Sequence, residues 1–389
     1  MDTVIVIQYK ELERLPPTMM LLQTLRSLGR EVVYIGTYSQ AGDIFLRDSG
    51  IEYYFMPDFT ESINRGKTIL AKVWRRVKRL HAFIVQRHWI RKTLARLILE
   101  KSDMTIWFSE VASAALVGDW GLRFGKRLMT IYEMFDFKGE HWCGFKLRRH
   151  ISTAKLIVPE YNRSYILQGF LDLRERPMVI PNKPFVHPRI VNLPLPGGRV
   201  KDVFDAIGNR PVFLYQGVWT QDRADVTRFA EIIARNRPNY CLVFLPECEQ
   251  AKQLERKYKN VFSLPFISAP NHLAVTSHAT VGLAIYNIWG RTPLTRLNVA
   301  YCAPNKIYEY AGFGIPTLGN KIPGLVYTID HYSAGICCDF DEESILKAAD
   351  ALVTNNSHYR EGAKKMYESI DLMDAVRGAL ASAELGEVN

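Results

Sequence analysis

The sequence predicts an α/β protein of two domains, each a parallel sheet covered by helices. Three observations carry that expectation. Short continuous apolar stretches alternate with longer stretches of helical periodicity, and the alternation runs twice along the chain. Between the two runs, 183–210 holds Pro184, Pro188, Pro194, Pro196, Gly197, Gly198 and Gly208, the best linker candidate in the sequence. Late in the second run, 302–319 reads C-A-P-N-K-I-Y-E-Y-A-G-F-G-I-P-T-L-G, where a helix start and the end of a buried strand meet. With 389 residues, each domain has enough chain for its own core. The expected division is 1–182, a linker 183–210, 211–370, and a final helix in 371–389.

Hydrophobic residues at 48% and charged residues at 23% are ordinary for a soluble globular protein, and no run of eighteen apolar residues is long enough to span a membrane. The start lacks a basic region and a small-residue cleavage site, so 4–7 reads as a first strand and the expected location is the cytoplasm. Six cysteines (Cys143, Cys241, Cys248, Cys302, Cys337, Cys338) show no C-x-x-C spacing, which argues against zinc and against a disulfide framework. The formal charge of +10 has a local origin. From Arg65 to Lys101 there are twelve Lys or Arg and one acid, Glu100, a net +11 that leaves −1 for the rest. A nucleic-acid partner is not expected, since its footprint would spread over several elements or add stacking aromatics.

In the first half, 4–8 is an apolar strand of the kind buried in a parallel sheet, and Pro16-Pro17 opens a helix to Leu28 that Gly29 closes. Strands at 31–35 and 52–55 complete a βαβ unit. The basic segment 65–101 comes next. Ile69, Leu70, Val73, Trp74, Val77, Leu80 and Ile84 recur at helical spacing, with Lys72, Arg75, Arg76, Lys78 and Arg79 on the other faces and a break expected near His88. Three roles are open for it: packing on the sheet with solvated charges, lying on an anionic inner leaflet, or meeting the pyrophosphate of a lipid-linked acceptor. Strands at 104–109 and 128–132 end at Ser109-Glu110 and at Glu133-Met134-Phe135-Asp136. Ligands of open α/β sheets sit outside such ends. Glu133 and Asp136 are candidates to orient an acceptor hydroxyl or steady a cationic sugar, or they cap the next helix or loop. A strand at 156–159, a helix at 161–170 and a strand at 177–182 close the half.

The second half restarts with an apolar strand at 211–216 ending at Gly217, whose missing side chain lets a ligand approach the backbone. Helices at 225–235 and 247–258 alternate with strands at 240–245 and 260–264. A short helix at 272–277 and a strand at 279–286 lead to a loop, 287–300, with Trp289, Arg291 and Arg296. In 302–319, Pro304 suits a first helical turn, Gly312 and Gly314 stop the helix, and 315–318 is a buried strand. The exposed N–H groups and positive end of that helix favour an anion; Lys306 adds charge and Glu309 can accept hydrogen bonds from a diol. A nucleoside diphosphate fits this pattern.

The run Pro304-Asn305-Lys306-Ile307-Tyr308-Glu309-Tyr310, followed by Gly312 and Gly314-Ile315-Pro316, resembles the nucleotide-sugar motif of GT-B glycosyltransferases, especially the retaining family 4 group. The resemblance implies two Rossmann-like domains with parallel sheets facing across a cleft, a donor held by the second domain, and a final helix that crosses back to the first. It implies that Glu309 holds the ribose hydroxyls and that Asn305, Lys306 and Ile307 at the helix start face the phosphates. It further implies a diphosphate contact from the loop after Gly217, where Arg223 is available, and a base-reading loop where Phe266 stands. Two departures matter: Tyr301 occupies the position of a second, sugar-facing glutamate, and Tyr9-Lys10-Glu11-Leu12-Glu13 replaces a glycine pair after the first strand.

The expected function is transfer of a sugar from a nucleotide-sugar donor, UDP-linked, to a glycan or lipid-linked acceptor presented at a membrane in surface polysaccharide synthesis. Neither metal nor cofactor is expected; Lys306, Arg223 and the helix dipole would stabilise the departing diphosphate, and the resemblance implies retention of configuration. The protein would sit peripherally at the inner face of the membrane. The alternatives are a sugar-nucleotide epimerase of the same architecture, which needs acids and a histidine clustered for proton transfer, and a non-enzymatic basic protein that binds membrane or nucleic acid through 65–101.

Overall fold

The computed structural model describes residues 2–57, 69–134, 147–219, 224, 226–288 and 292–385, with 69–71 and 75 as backbone alone. The chain divides into two compact units, Met1–Ile180 with Leu372–Asn389, and Pro181–Asp371.

The first unit is built on seven strands: β1 (Thr3–Glu11), β2 (Glu31–Thr37), β3 (Glu52–Met56), β4 (Met104–Phe108), β5 (Lys126–Thr130), β6 (Lys155–Val158) and β7 (Met178–Val179). Their order is β3-β2-β1-β4-β5-β6-β7, with every pairing parallel. Ile5 pairs with Val33 on one side and Ile106 on the other, and Val4 to Ile7 are buried on both faces, as a central parallel strand requires. The helices are α1 (Pro16–Ser27), α2 (Gln40–Asp48), α3 (Ile69–Glu100), α4 (Val111–Val117), α5 (Leu147–Ile151) and α6 (Tyr161–Leu171).

The second unit has α7 (Arg199–Ile207), β8 (Val212–Gln216), α8 (Thr227–Asn236), β9 (Cys241–Leu245), α9 (Glu249–Lys257), β10 (Val261–Ser263), α10 (Leu273–Thr276), β11 (Val281–Ala284), α11 (Pro293–Ala300), α12 (Asn305–Gly312), β12 (Thr317–Asn320), α13 (Pro323–Ile329), β13 (Gly335–Cys338), α14 (Glu342–Thr354) and α15 (Asn356–Glu368). Its sheet runs β10-β9-β8-β11-β12-β13, again all parallel. The last helix, α16 (Leu372–Glu384), belongs to the first unit. Two Rossmann-type sheets therefore make up the chain, as the alternation of elements predicts.

The structure differs from the sequence expectation at several places; one is the loop expected at 287–300, whose last eight residues form α11, opened by Pro293 with Thr292 capping it. The segment 65–101 has no break at His88 among its described residues: α3 runs for 32 residues, since nothing between Ile69 and Glu100 is a proline or a glycine. Of the roles open for it, packing against the unit holds for the later part of its apolar pattern and not for the first part. Val73, Trp74, Val77, Leu80 and Ile84 are exposed, while Phe83, Ile90, Leu94 and Leu97 are buried. In 183–210, the Pro/Gly-rich part up to Gly198 and the turn 208–210 lack a helix or strand, but Val200, Val203 and Ile207 recur at helical spacing and α7 buries them against Val212 and Leu214 of β8. That stretch is thus part of the second unit's core.

Candidate functional site

Strand order reverses between β8 and β11, because the crossovers from β8 run to β9 on one side while β11 pairs on the other. Such a switch point leaves a crevice beyond the strand ends. At this one β8 ends on Tyr215-Gln216, with Gly217 directly after it, and the chain leaves β11 at Ala284 two residues before Tyr286.

Tyr310 seats α12 against that crevice. Its ring lies where a side chain at Gly282 of β11 would be, since a Cβ there would meet the ring at 2.1 Å. The buried Tyr310 hydroxyl donates to Leu214 O at 3.1 Å and accepts from Gln216 N at 3.3 Å, so two strand-end backbone groups find partners. Burial pushes the Tyr310 phenol well above its ordinary range, which keeps it a donor.

With α12 so placed, Lys306 reaches over the end of β8. Its Nζ stands 4.1 Å from the centre of the Tyr215 ring and 5.6 Å from that of Tyr286. Gly217 has φ +129, and a Cβ there would lie 3.1 Å from the ammonium. The glycine thus provides both a conformation that other residues rarely adopt and room for the lysine. Burial pulls the Lys306 ammonium down to about 8, with Glu309 acting in the opposite sense. It is charged at neutral pH, and among the described residues no carboxylate lies within ion-pairing distance of it.

One turn on, Glu309 is anchored from two elements. Gln216 Nε2 donates to Glu309 Oε2, and Thr276 Oγ1 of α10 donates to Gln216 Oε1 at 2.7 Å, which fixes the amide with its nitrogen towards the carboxylate. His272 Nε2 lies 3.4 Å from the same oxygen, and its buried Nδ1 has no partner among the described residues. From behind, His187 Nε2 meets Glu309 O at 3.0 Å. Because His187 Nδ1 accepts from Arg189 N at 3.1 Å, Nε2 carries the proton; burial holds this imidazole down to about 4, so it stays neutral.

A cavity of about 420 Å³ adjoins this arrangement, lined by Tyr286, Asn287, Asn320, Lys321, Asp339 and Phe340 among others. Asn320 holds Tyr286 by both backbone groups, accepting from its N and donating to its O at 2.9 Å each. Tyr286 is therefore a fixed wall shared by the cavity and Lys306.

Of the residues singled out in the sequence, Gly217, Lys306 and Glu309 come together here, with Asn305 opening α12. Ile307 does not face the crevice with its side chain: the residue is 1% exposed and packs with Leu325 and Ile329. Phe266 stands in the loop after β10, 74% exposed. Arg223 and Asp136 lie outside the described residues, and Glu133 is exposed after β5 in the other unit. Of the basic set, Lys72, Arg76, Lys78 and Arg79 lie on the first turns of α3, and Arg75 is described by its backbone alone. Sequence reasoning missed Gln216, Thr276, His272 and Tyr286. Gln216 alone had a signal, a polar residue at the end of an apolar strand directly before the glycine. Among the described residues no group of His, Cys, Asp and Glu could hold a metal ion, and no helix is long and apolar enough to cross a membrane.

No protein-family model matches the chain, and no curated protein matches it by sequence. Solved structures do match over nearly all of it. A glycosyltransferase from Rickettsia africae superposes with a TM-score of 0.67 at 13% identity, covering 99% of this chain and 98% of that one. HepE from Anabaena, determined in complex with UDP-glucose, gives 0.66 at 10% identity over 99% and 100%. A protein described as a UDP-N-acetylglucosamine 2-epimerase from Listeria monocytogenes gives 0.57 at 11% over 98% and 96%. At these identities the likeness establishes the fold alone: the chain has the two-sheet GT-B architecture.

Proposed function

We propose that this protein is a glycosyltransferase that takes a sugar from a UDP-linked donor and places it on a glycan or lipid-linked acceptor presented at a membrane, in the synthesis of a surface polysaccharide. The observation that carries the reading is the pairing of Lys306 and Glu309 on one helix with Gly217 and Gln216 at the switch point. A nucleoside diphosphate presents the matching groups in the matching order, two phosphates beside a ribose diol. In the reaction, the bond from the anomeric carbon to the diphosphate breaks with its electron pair going to the diphosphate, while the acceptor oxygen bonds to that carbon and loses its proton. Lys306 and the N-terminus of α12 would stabilise the leaving charge without a metal. The UDP-glucose complex on the same fold supports uridine as the base. Retention of configuration follows the motif resemblance, as does binding of the ribose by Glu309. The cavity beside Tyr286, with two amides, a lysine, a carboxylate and a phenyl ring, suits a sugar ring in a chain where Tyr301 replaces the usual glutamate.

Thermal-shift screening against UDP, GDP, CMP and their sugars tests this. A nucleotide at a hundred times its dissociation constant stabilises the fold by about 2.7 kcal/mol. UDP should stabilise the wild type, and Glu309→Ala should lose most of the effect; no stabilisation by any nucleotide would sink the reading.

A specific observation also supports epimerisation of a sugar nucleotide at the same site: His272 stands beside Glu309 with a ring nitrogen that has no partner among the described residues, and one structure of this fold carries that description. Incubating the stabilising UDP-sugar without any acceptor and following the anomeric and C2 protons by NMR separates the two. A glycosyltransferase leaves the sugar unchanged, and an epimerase does not.

A further inference from the structure

The first half of α3 is an amphipathic surface, and no described side chain from Lys72 to Ala82 is buried. At 100° per residue, Val73, Val77, Leu80 and Ile84 fall within a sector of roughly 60°, a stripe about 16 Å long. All four are exposed by 46% or more, with Trp74 on the flank at 64%. The face that holds α3 to its unit is a different one. Phe83, Ile90, Leu94 and Leu97 are buried and centred roughly 100° away around the helix. The second half is fixed further by Arg87, which donates to Ala115 O at 2.7 Å and Leu116 O at 3.1 Å, and by Arg91, which donates to Val117 O at 3.0 Å. One half of the helix is thus a clamped base and the other presents an apolar stripe.

Charge identifies what covers the stripe. Lys72, Arg75, Arg76, Lys78 and Arg79 occur within eight residues, and no Asp or Glu occurs between Glu61 and Glu100. Basic residues beside a narrow apolar stripe with a tryptophan at its border are the pattern of a helix lying in a headgroup layer, apolar side in the acyl boundary and charges at the phosphates. A protein partner fits less well, because a stable interface takes roughly 20–30 residues a side. A nucleic-acid partner would leave the stripe wet.

We propose that residues 72–84 of α3 dock the protein on an anionic lipid bilayer. The proposal deepens the membrane-presented acceptor of the functional reading and stands independently of the donor chemistry. Flotation of the full chain with vesicles tests it, comparing phosphatidylcholine alone with a two-to-one mixture of phosphatidylcholine and phosphatidylglycerol. Wild type should float with the mixture and be left behind by phosphatidylcholine. Val77→Ser with Leu80→Ser and Ile84→Ser should weaken binding roughly tenfold or more. Lys72→Ala with Arg76→Ala and Arg79→Ala should weaken it comparably and remove most of its salt dependence. These positions are exposed, so the thermal shift with UDP should be unchanged in both variants, which reports folding and the donor site separately. Absence of wild-type flotation, or equal flotation of the serine variant, overturns the proposal whatever UDP does. So does a dimer in gel filtration that the serine variant abolishes, or preferred binding of RNA over vesicles. Flotation without any nucleotide effect would instead leave docking intact and remove the donor reading.

Discussion

Gln216 at the end of β8 and Glu309 on α12 are joined through a single carboxylate oxygen, and Thr276 sets which end of the Gln216 amide faces it. One Glu309 oxygen is thereby occupied and its side chain is held in one position; among the described residues the other oxygen has no hydrogen-bond partner, and on the proposed reading it accepts from the diol. Glu309→Gln removes the charge with little change of shape. A hydrogen bond to a charged group contributes about 1.5–3 kcal/mol, so UDP affinity should fall by about tenfold to a hundredfold. Thr276→Val leaves the amide free to flip and should cost nearer fivefold, with calorimetric titration as the readout. Equal affinity in all three proteins would show that the diol sits elsewhere.

Lys306 predicts a pH dependence with a definite sign. Its ammonium is pulled down to about 8 by burial, well below the value of a lysine in an unfolded chain. Between those two values the unfolded state binds more protons, so the free protein should gain stability as pH rises from about 8 towards 10. Donor binding should move the other way, because the diphosphate needs the charged amine: affinity should be level below pH 8 and fall above it. Lys306→Met should bind weakly at every pH and lose this part of both slopes. Thermal melts and titrations across pH 7 to 10 check both signs, and a wild-type affinity unchanged up to pH 10 would exclude Lys306 as the diphosphate contact.

Both sheets were legible because central parallel strands are buried on two faces and appear as unbroken apolar runs, as in 4–8 and 240–245. Lys306 and Glu309 were legible because proline, lysine, glutamate and glycines crowd one short helix. Gln216 and His272 were not, since each is a lone polar residue brought to Glu309 from another element, Gln216 from 93 positions away. The orientation of α3 was not legible either. Periodicity locates an apolar stripe but does not say whether protein or something else covers it, and here the body takes a second stripe, beginning at Phe83. In 183–210, the prolines and glycines concealed the spacing of Val200, Val203 and Ile207.

Phe266 separates binding from folding. At 74% exposed, it contributes little to the core, so Phe266→Ala should leave the melting temperature of the free protein unchanged. If the ring borders the base, its removal should still weaken UDP binding by about 1 kcal/mol, near fivefold. Affinities of UDP and ribose 5-phosphate measured side by side make the comparison, since only the first carries a base to lose contact. A drop shared by both ligands would mean that Phe266 acts through the loop and not on the base.

Lys183 binds the start of the second unit to its last helix. It is 8% exposed, and its Nζ donates to Tyr367 O at 2.6 Å and Ile370 O at 2.7 Å while standing 4.0 Å from the centre of the Tyr367 ring. These carbonyls lie at and just beyond the C-terminal end of α15, where unpaired acceptors and the negative end of the helix dipole favour a cation. Tyr367 completes the contact by donating to Pro184 O at 3.2 Å. Burial nonetheless pulls the lysine down to about 8, so its proton is held less firmly than in water. Lys183→Met keeps the packing of the stem and leaves two carbonyls without their donor, a loss of about 1–3 kcal/mol. Because this segment also carries His187, whose ring meets Glu309 O, the variant should loosen the donor site as well as lower the melting temperature. Melting with and without saturating UDP distinguishes the two effects. A lower melting temperature with UDP affinity unchanged would confine Lys183 to the fold, and the two falling together would tie this segment to the position of Glu309.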